Sequence, residues 1–474
     1  MNFAKPLQWV GGALGVSLAL YFAYSHLQYF GDVSFLSGIL LLELIAICLW
    51  KYGQRFFVLL MTTFLWAGMN LPLQGAWTAG RWAVLGVGAA VGYVIWVKSP
   101  HTSFGSTHLI AFFCICAAFV SASVSSYVQM ASFKALSLLL LFLYCSTGAR
   151  LSILGREARF FEGLLLGCEI VVYGTAVAYF GLGQSIWGNP NSLGAVMSVG
   201  LFPVLLWGWH TSEGPTLRLR RLAALLLCAN FVLISVARAG MVSVLLVMIV
   251  FCSCLQQYRL LVKVAALVLL AGAVGGVLAP ERTSNAVNEL KDAVLYKGHK
   301  EEGVLGSRRS PWEKTVASIK EHPLFGTGYG TSPTGENPGF GFGTFASSVE
   351  TEREHGSSYM TIAEWVGLLG VLPFVGLLGV TASNVWKVCA WMRRTSNPRH
   401  YSIPLAMVVL SGLVHANFED WLFAVGSYIS VFFWVFAFML ADIVPAAVDV
   451  PAASPVSRSS RQSPAGFGAV VPNR

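Results

Sequence analysis

HGSSYMTIAEWVGLLGVLPFVGLLGV, residues 355–380, crosses from the most polar part of the chain into one of its most apolar. From Trp365 to Val380 it carries no charged residue, and with its neighbours it reads as a helix spanning about 358 to 383. About twenty apolar residues carry an α-helix across the hydrocarbon core of a bilayer. Runs of this kind recur almost from end to end of the 474 residues, which are 55% hydrophobic and only 11% charged. That composition excludes a soluble globular protein and predicts an all-α, polytopic integral membrane protein.

Hydropathy predicts 12 to 14 transmembrane helices. The approximate spans are 6 to 27, 33 to 50, 55 to 71, 82 to 97, 107 to 121, 130 to 146, 160 to 180, 192 to 209, 220 to 236, 239 to 255, 260 to 279, 358 to 383, 402 to 417 and 421 to 443. The first reads as a retained span rather than a cleaved leader, because no small-residue cleavage site and soluble domain follow it. Four regions result: spans up to residue 279, a large polar loop over 280–357, C-terminal spans over 358–444, and a tail over 445–474. The tail is rich in Pro, Ala and Ser without periodicity, which predicts disorder.

The net charge of +9 does not point to nucleic acid. Lys51, Arg55, Lys98, Arg150, Arg156, Arg159, Arg218, Arg220, Arg221, Arg259, Lys263, Lys387, Arg393, Arg394 and Arg399 fall on alternate connections, and the connections between hold almost no Lys or Arg. Cytoplasmic loops carry such an excess. Both termini are therefore expected inside, and the 280–357 loop outside, the cytoplasm. The nine cysteines all lie in apolar runs and suggest neither a disulfide framework nor a metal site.

Three basic residues break the pattern: Arg81, Lys134 and Arg238 lie at outer ends of spans, where topology asks for no positive charge. Each reads either as an anion contact or as a side chain snorkelling to the headgroups. The tight turn of Ala237, Arg238, Ala239 and Gly240 leaves Arg238 little room to snorkel, which favours the anion. Glu43 and Glu169 lie deep in spans and read as partners of buried polar groups or as a proton route.

Within the loop, Ser310, Pro311 and Glu313 match an N-cap, first-turn proline and capping-box acid. They predict a helix that His322, Pro323 and Gly326 end. Arg308 and Arg309 would then sit just ahead of its positive end, either as a phosphate cradle or as flanking charges on a surface helix. The glycine-rich stretch GTGYGTSPTGENPGFGFGTF (326–345) is expected to be flexible, a lid ordering on substrate. His355 closes the loop. It reads as structural or, beside Arg308 at the membrane surface, as a general base. No HExxH pattern occurs and Asp292 is the loop's only aspartate, so metal-independent chemistry is expected. Asn189 and Asn191 read as sugar contacts or helix caps. His415, Asn417, Glu419 and Asp420 read as an acceptor path or a polar turn.

GNPNSLG (188–194), ARAG (237–240), SRRSPWEKTVASIKEHPLFGTGYG (307–330) and HGSSYMTIAEWVGLLG (355–370) together resemble, in order and spacing, the O-antigen ligase and polymerase superfamily. The resemblance covers roughly the second half of the chain. It implies a GT-C-like glycosyltransferase that takes a glycan from undecaprenyl diphosphate on the periplasmic side of the bacterial inner membrane, with no further cofactor. The acceptor would be a hydroxyl on the lipid A core in a ligase, a second lipid-linked glycan in a polymerase, or a protein serine or threonine. His355 takes the place of the catalytic histidine. Arg238 and Arg308 take those of the diphosphate-binding arginines. Beside them, Arg309 reads as a secondary phosphate contact, and Asn189, Asn191 and Arg81 as candidate glycan or acceptor contacts. Gly356 and Ala237 stand where many relatives have Asn and Ser or Thr. A transporter or flippase, and a non-catalytic glycan-lipid-binding subunit, are the rival classes. Transporters usually show internal repeats and midplane charges, and this chain shows no repeat.

Overall fold

The computed structural model describes residues 56–70, 74–98, 104–263, 306–332 and 354–445, with a few isolated helical positions at 42–50 and 265–273. The expected spans 6 to 27, 33 to 50 and 260 to 279 fall wholly or largely outside these residues, as do most of the loop and the tail from 446. The described helices are α1 (Phe56–Gly68), α2 (Gln74–Lys98), α3 (Ser106–Ser123), α4 (Val128–Ile153), α5 (Glu157–Gly181), α6 (Pro190–Thr211), α7 (Pro215–Ile234), α8 (Arg238–Cys254), α9 (Gly306–Glu321), α10 (Ser358–Thr395), α11 (Ser402–His415) and α12 (Tyr428–Ile443). Helices α2 to α6 and α10 are long and apolar enough to cross a membrane, and α1, α8, α11 and α12 are shorter apolar helices. Among the described residues there is no strand, only a single bridge between Met69 and Trp187.

Each expected span on described residues is a helix, with several ends displaced; α10 runs on to Thr395 and α4 to Ile153. Helix α2 begins at Gln74 rather than near 82, so Arg81 lies inside it. Helix α12 begins at Tyr428 rather than 421. The turn before it holds its backbone groups by other means: Leu422 N–H donates to Ser358 Oγ, and the Leu422 carbonyl accepts from Ser430 Oγ and Trp434 Nε1. Helical bonds are dispensable there because the groups are already met.

Helices α6 and α12 form the hub. Most of α6 is inside the bundle, and the buried Trp434, Phe436 and Phe438 of α12 pack on rings from α1 and α4. In contrast, α5 and α10 present Leu166, Ile170, Leu372 and Trp386 outward, an apolar surface suited to lipid. Helix α6 loosens into a π turn over Val196–Leu201 just before Pro203, which has no N–H for the Val199 carbonyl. Gly194 of α6 and Gly240 of α8 let these helices meet: a side chain at Gly194 would strike Ala237 and Ser235, and one at Gly240 would press on Ser198. Small residues permit such approaches between membrane helices. The approach fixes the turn that carries Arg238.

Helix α10 is broken. Gly367 has φ 66° and ψ −177°, so the helix stops after Val366 and restarts at Leu368. A break in a membrane helix leaves backbone groups to be satisfied from elsewhere. The segment following α9 does this. Leu368 N–H donates to the Pro323 carbonyl (2.8 Å) and Leu369 N–H to that of Leu324 (3.2 Å), while the carbonyls of Glu364 and Trp365 accept from the N–H groups of Thr327 (2.9 Å) and Gly328 (3.1 Å). Side chains on Gly367 or Gly326 would collide with the facing backbone.

This docking corrects the expectation of a flexible lid. Residues 326–332 are buried. Gly326, Gly328 and Gly330 have φ of 72°, 111° and 75°, a region glycine enters without cost. Lys134 Nζ donates to the Gly330 carbonyl (2.7 Å), Ser125 Oγ to that of Thr327 (2.9 Å), and Tyr329 Oη to that of Phe423 (2.9 Å). The glycines make a plug shaped for the break in α10. Residues 333–345 of the expected lid lie outside the described residues.

The expected start of α9 is also corrected. The helix begins at Gly306, and Pro311 lies inside it rather than in its first turn. Pro311 forgoes one bond to the carbonyl four residues back. Ion pairs of Arg308 with two carboxylates from other segments hold the preceding turn in place.

Candidate functional site

Polar side chains converge where the C-terminal ends of α7 and α11 meet the N-terminal ends of α8, α10 and α12. The α11–α12 turn is stapled to the start of α10 through Ser358, whose N–H donates to the carbonyls of Ala416 (2.9 Å) and Glu419 (3.0 Å) and whose Oγ donates to Glu419 (2.6 Å). Tyr359 Oη donates to the Leu413 carbonyl (2.6 Å). These bonds bring Glu419 and Asp420 beside His355.

His355 stands just ahead of the start of α10 and is buried there, with 3% of its side chain exposed. Asp420 Oδ2 accepts from its backbone N–H (3.0 Å) and faces Nδ1 (3.3 Å). Nε2 has two neighbours, Ser332 Oγ at 2.8 Å and Glu364 Oε2 at 3.4 Å. Ser332 comes from the end of the plug and also lies within reach of Trp365 Nε1 (3.4 Å). Glu364 is fully buried on α10, its Oε1 facing Ser318 Oγ of α9 at 3.3 Å. Burial opposes charge on the imidazole, but the bonds and negative charges of Asp420 and Glu364 outweigh it and raise its pKa above the ordinary 6.5. Asp420 is the reciprocal case. Burial works to raise its pKa, and the bonds and charge of His355 bring it below the usual aspartate value.

Arg308 lies in the first turn of α9, buried, with Nη2 on Glu419 Oε1 (2.6 Å) and Nη1 on Glu354. Burial raises the pKa of Glu419 even though Arg308 opposes it. Glu354 is 62% exposed. Arg238, the first residue of α8, is partly buried and feels both Arg308 and Glu419 electrostatically. Positions 238, 308 and 355 are thus drawn together by separate segments. Among the described residues here, the carboxylates of Glu354, Glu364, Glu419 and Asp420 outnumber the two guanidiniums.

Other residues singled out in the sequence lie differently. Arg309 is 77% exposed and pairs along the helix with Glu313 (2.9 Å). Asn189 caps α6, its Oδ1 accepting from Ser192 N–H (2.7 Å), and Asn191 occupies the first turn of the same helix, partly buried. Arg81 donates to the Gly426 carbonyl (2.6 Å) and stacks on Phe64 and Trp82. His415 accepts from Trp421 Nε1 (2.9 Å), and Asn417 donates to the carbonyls of Leu413 and Val414. The cluster after α11 is therefore divided, with His415 and Asn417 serving their own turn and Glu419 and Asp420 entering the site. Glu169 proves to be a structural partner, paired with Arg220 (2.9 Å) and Arg221 (3.6 Å). Sequence reasoning passed over Glu364 and Ser332. Glu364 had a signal, a carboxylate inside an apolar helix; Ser332 had none.

A helical membrane protein whose buried histidine and arginines gather at one end of the bundle is the class that fold and site define. Residues 223–375 match the family model described as O-antigen ligase. Over that segment alone the chain is similar to the O-antigen ligase family. The match includes Arg238, Arg308, Glu364 and His355, while Glu419 and Asp420 lie beyond it. Among curated proteins, none matches this chain.

Proposed function

We propose that this chain is a glycosyltransferase of the O-antigen ligase type, passing a glycan from undecaprenyl diphosphate to a hydroxyl of the lipid A core at the periplasmic face of the bacterial inner membrane. The observation that supports it most is the gathering of Arg238, Arg308 and His355 at one end of the bundle, all within the segment that matches the family. The side assignment rests on charge: Arg156, Arg218, Arg393 and Arg394 cluster at helix ends remote from the site, as a cytoplasmic face requires.

In this reading Asp420 keeps a proton on Nδ1 and so leaves Nε2 of neutral His355 to take the acceptor's proton. Ser332 Oγ, 2.8 Å from Nε2, stands where that hydroxyl would come. The acceptor oxygen then bonds to the anomeric carbon as the bond to the diphosphate oxygen breaks. The electron pair leaves on the diphosphate, and the proton stays on His355 until solvent removes it. Arg308 and Arg238 stabilise the growing negative charge. The acid-rich balance requires one carboxylate to yield to the diphosphate, and Glu354, the most exposed of the four, is the one suited to it. The lipid-linked glycan is the donor, and the reading calls for no metal or further cofactor. Asn189 caps α6 through Oδ1, and its exposed side chain is kept as a peripheral glycan or acceptor contact. Arg309, Asn191 and Arg81 remain peripheral contacts.

The purified full chain in nanodiscs, supplied with undecaprenyl-diphosphate glycan and lipid A core, is expected to transfer the glycan, and His355→Ala to lose that activity. Transfer at the unaltered rate by His355→Ala ends this reading. In cells lacking the chain, full polymer left unattached to core supports the ligase. Single lipid-linked repeats would make it a polymerase.

A further inference from the structure

Arg308 and Trp312 are four residues apart on α9 and share a face. Trp312 Nε1 is buried and has no hydrogen-bond partner. An indole N–H can only donate, and burying a donor without an acceptor is costly. Other buried atoms in this condition have different surroundings: Glu169 Oε1 and Arg221 Nε face each other across an ion pair, for example. Trp312 is next to the site. A Cβ at Gly356 would lie 3.2 Å from Trp312 Nε1, 3.1 Å from Arg308 Cδ and 3.5 Å from Arg308 Nη1. The bare Cα of Gly356, at φ 71°, therefore lets these two α9 donors pack close to the chain beside His355.

Both groups donate and neither accepts, so a ligand atom that meets both must accept twice. An anionic oxygen does this, and the carboxylate of Glu354 already answers Nη1 with that chemistry. We propose that Trp312 Nε1–H is a binding donor for a phosphate oxygen of the lipid-diphosphate substrate, acting beside Arg308 where both side chains border Gly356. This rests on the glycosyltransferase reading and deepens it by naming a diphosphate contact outside the arginines.

The test is the affinity of the purified full chain in nanodiscs for farnesyl diphosphate, by calorimetry, alongside glycan transfer. Trp312→Phe keeps the ring and removes the donor. It is expected to weaken farnesyl diphosphate binding and raise the KM for lipid-linked glycan by about tenfold, with kcat at saturating donor and the thermal midpoint retained. Trp312→His, which restores an N–H, should recover part of the affinity. Unaltered binding by Trp312→Phe overturns the proposal while leaving the enzyme reading intact. A loss matched by a lowered thermal midpoint and not recovered by Trp312→His also overturns it, in favour of a packing role. If the unaltered chain neither binds farnesyl diphosphate nor transfers glycan, the reading of the whole site fails first and this contact with it.

Discussion

The two ends of the bundle handle charge in opposite ways. Far from the site, Arg150 and Asp442 form a bidentate pair at 2.5 and 2.6 Å, with Arg150 stacked 4.1 Å over Trp96, and Glu169 is shared by Arg220 and Arg221. Both of these acids face guanidiniums. At the site end one guanidinium serves two carboxylates and one imidazole lies between two more. Closed pairs hold helices in register. Groups whose partners can be exchanged are what a substrate needs.

The contrast predicts which variants lose activity and which lose stability. The largest effect is expected from His355→Ala, a fall in transfer rate of about 10²- to 10⁴-fold, the usual contribution of a general base, with thermal unfolding little changed. Substitution at the closed end should do the reverse. Asp442→Ala leaves Arg150 buried without its partner, and removing one member of a buried pair costs about 3–5 kcal/mol. Denaturant or thermal unfolding should show the loss, with transfer per folded molecule retained. If Asp442→Ala instead abolished transfer at unchanged stability, the division between the ends would be wrong.

A subtler consequence concerns pH. The carboxylates beside His355 favour its charged form, so neutral imidazole, the form able to accept a proton, prevails only above a raised pKa. The rate should therefore climb with pH through a limb lying above 6.5. Glu364→Gln removes one of these charges, at 3.4 Å from Nε2, and should move the limb to lower pH. A purely structural Glu364 would lower the rate without moving the limb.

Much of this was legible in the sequence, and the failures have physical causes. The spans and His355 were visible because an apolar run and its polar border are local features, and Arg238 because it breaks a charge rule. The plug was misread because GTGYG has too little apolar surface to pack alone, and its partner is a break in α10 some forty residues on, at Gly367. Flexibility and exact fit to a distant backbone look alike in a glycine-rich string. The start of α9 was misplaced because capping signals are local, whereas Arg308 is held by Glu354 and Glu419 from elsewhere in the chain. Glu364 was legible in principle, carrying the same signal that had marked Glu169.

The smallest expected effect sharpens the contrast furthest, because it is a gain. Glu354 holds Arg308 Nη1 yet is 62% exposed, whereas Glu419, on Nη2, is 21% exposed. If Glu354 occupies the place a phosphate oxygen takes, each binding event must first displace it. Exposed ion pairs contribute only about 0–1 kcal/mol, so releasing this one should help modestly. Glu354→Gln is expected to lower the KM for lipid-linked glycan by about two- to fivefold, within that range, at constant kcat. Glu419→Gln should weaken binding instead, since it frees a buried guanidinium from the acid that orients it. Steady-state kinetics on the two variants would separate the roles. Equal losses in both would mean that Arg308 is held as tightly as Arg150, and that the two ends differ less than their geometry implies.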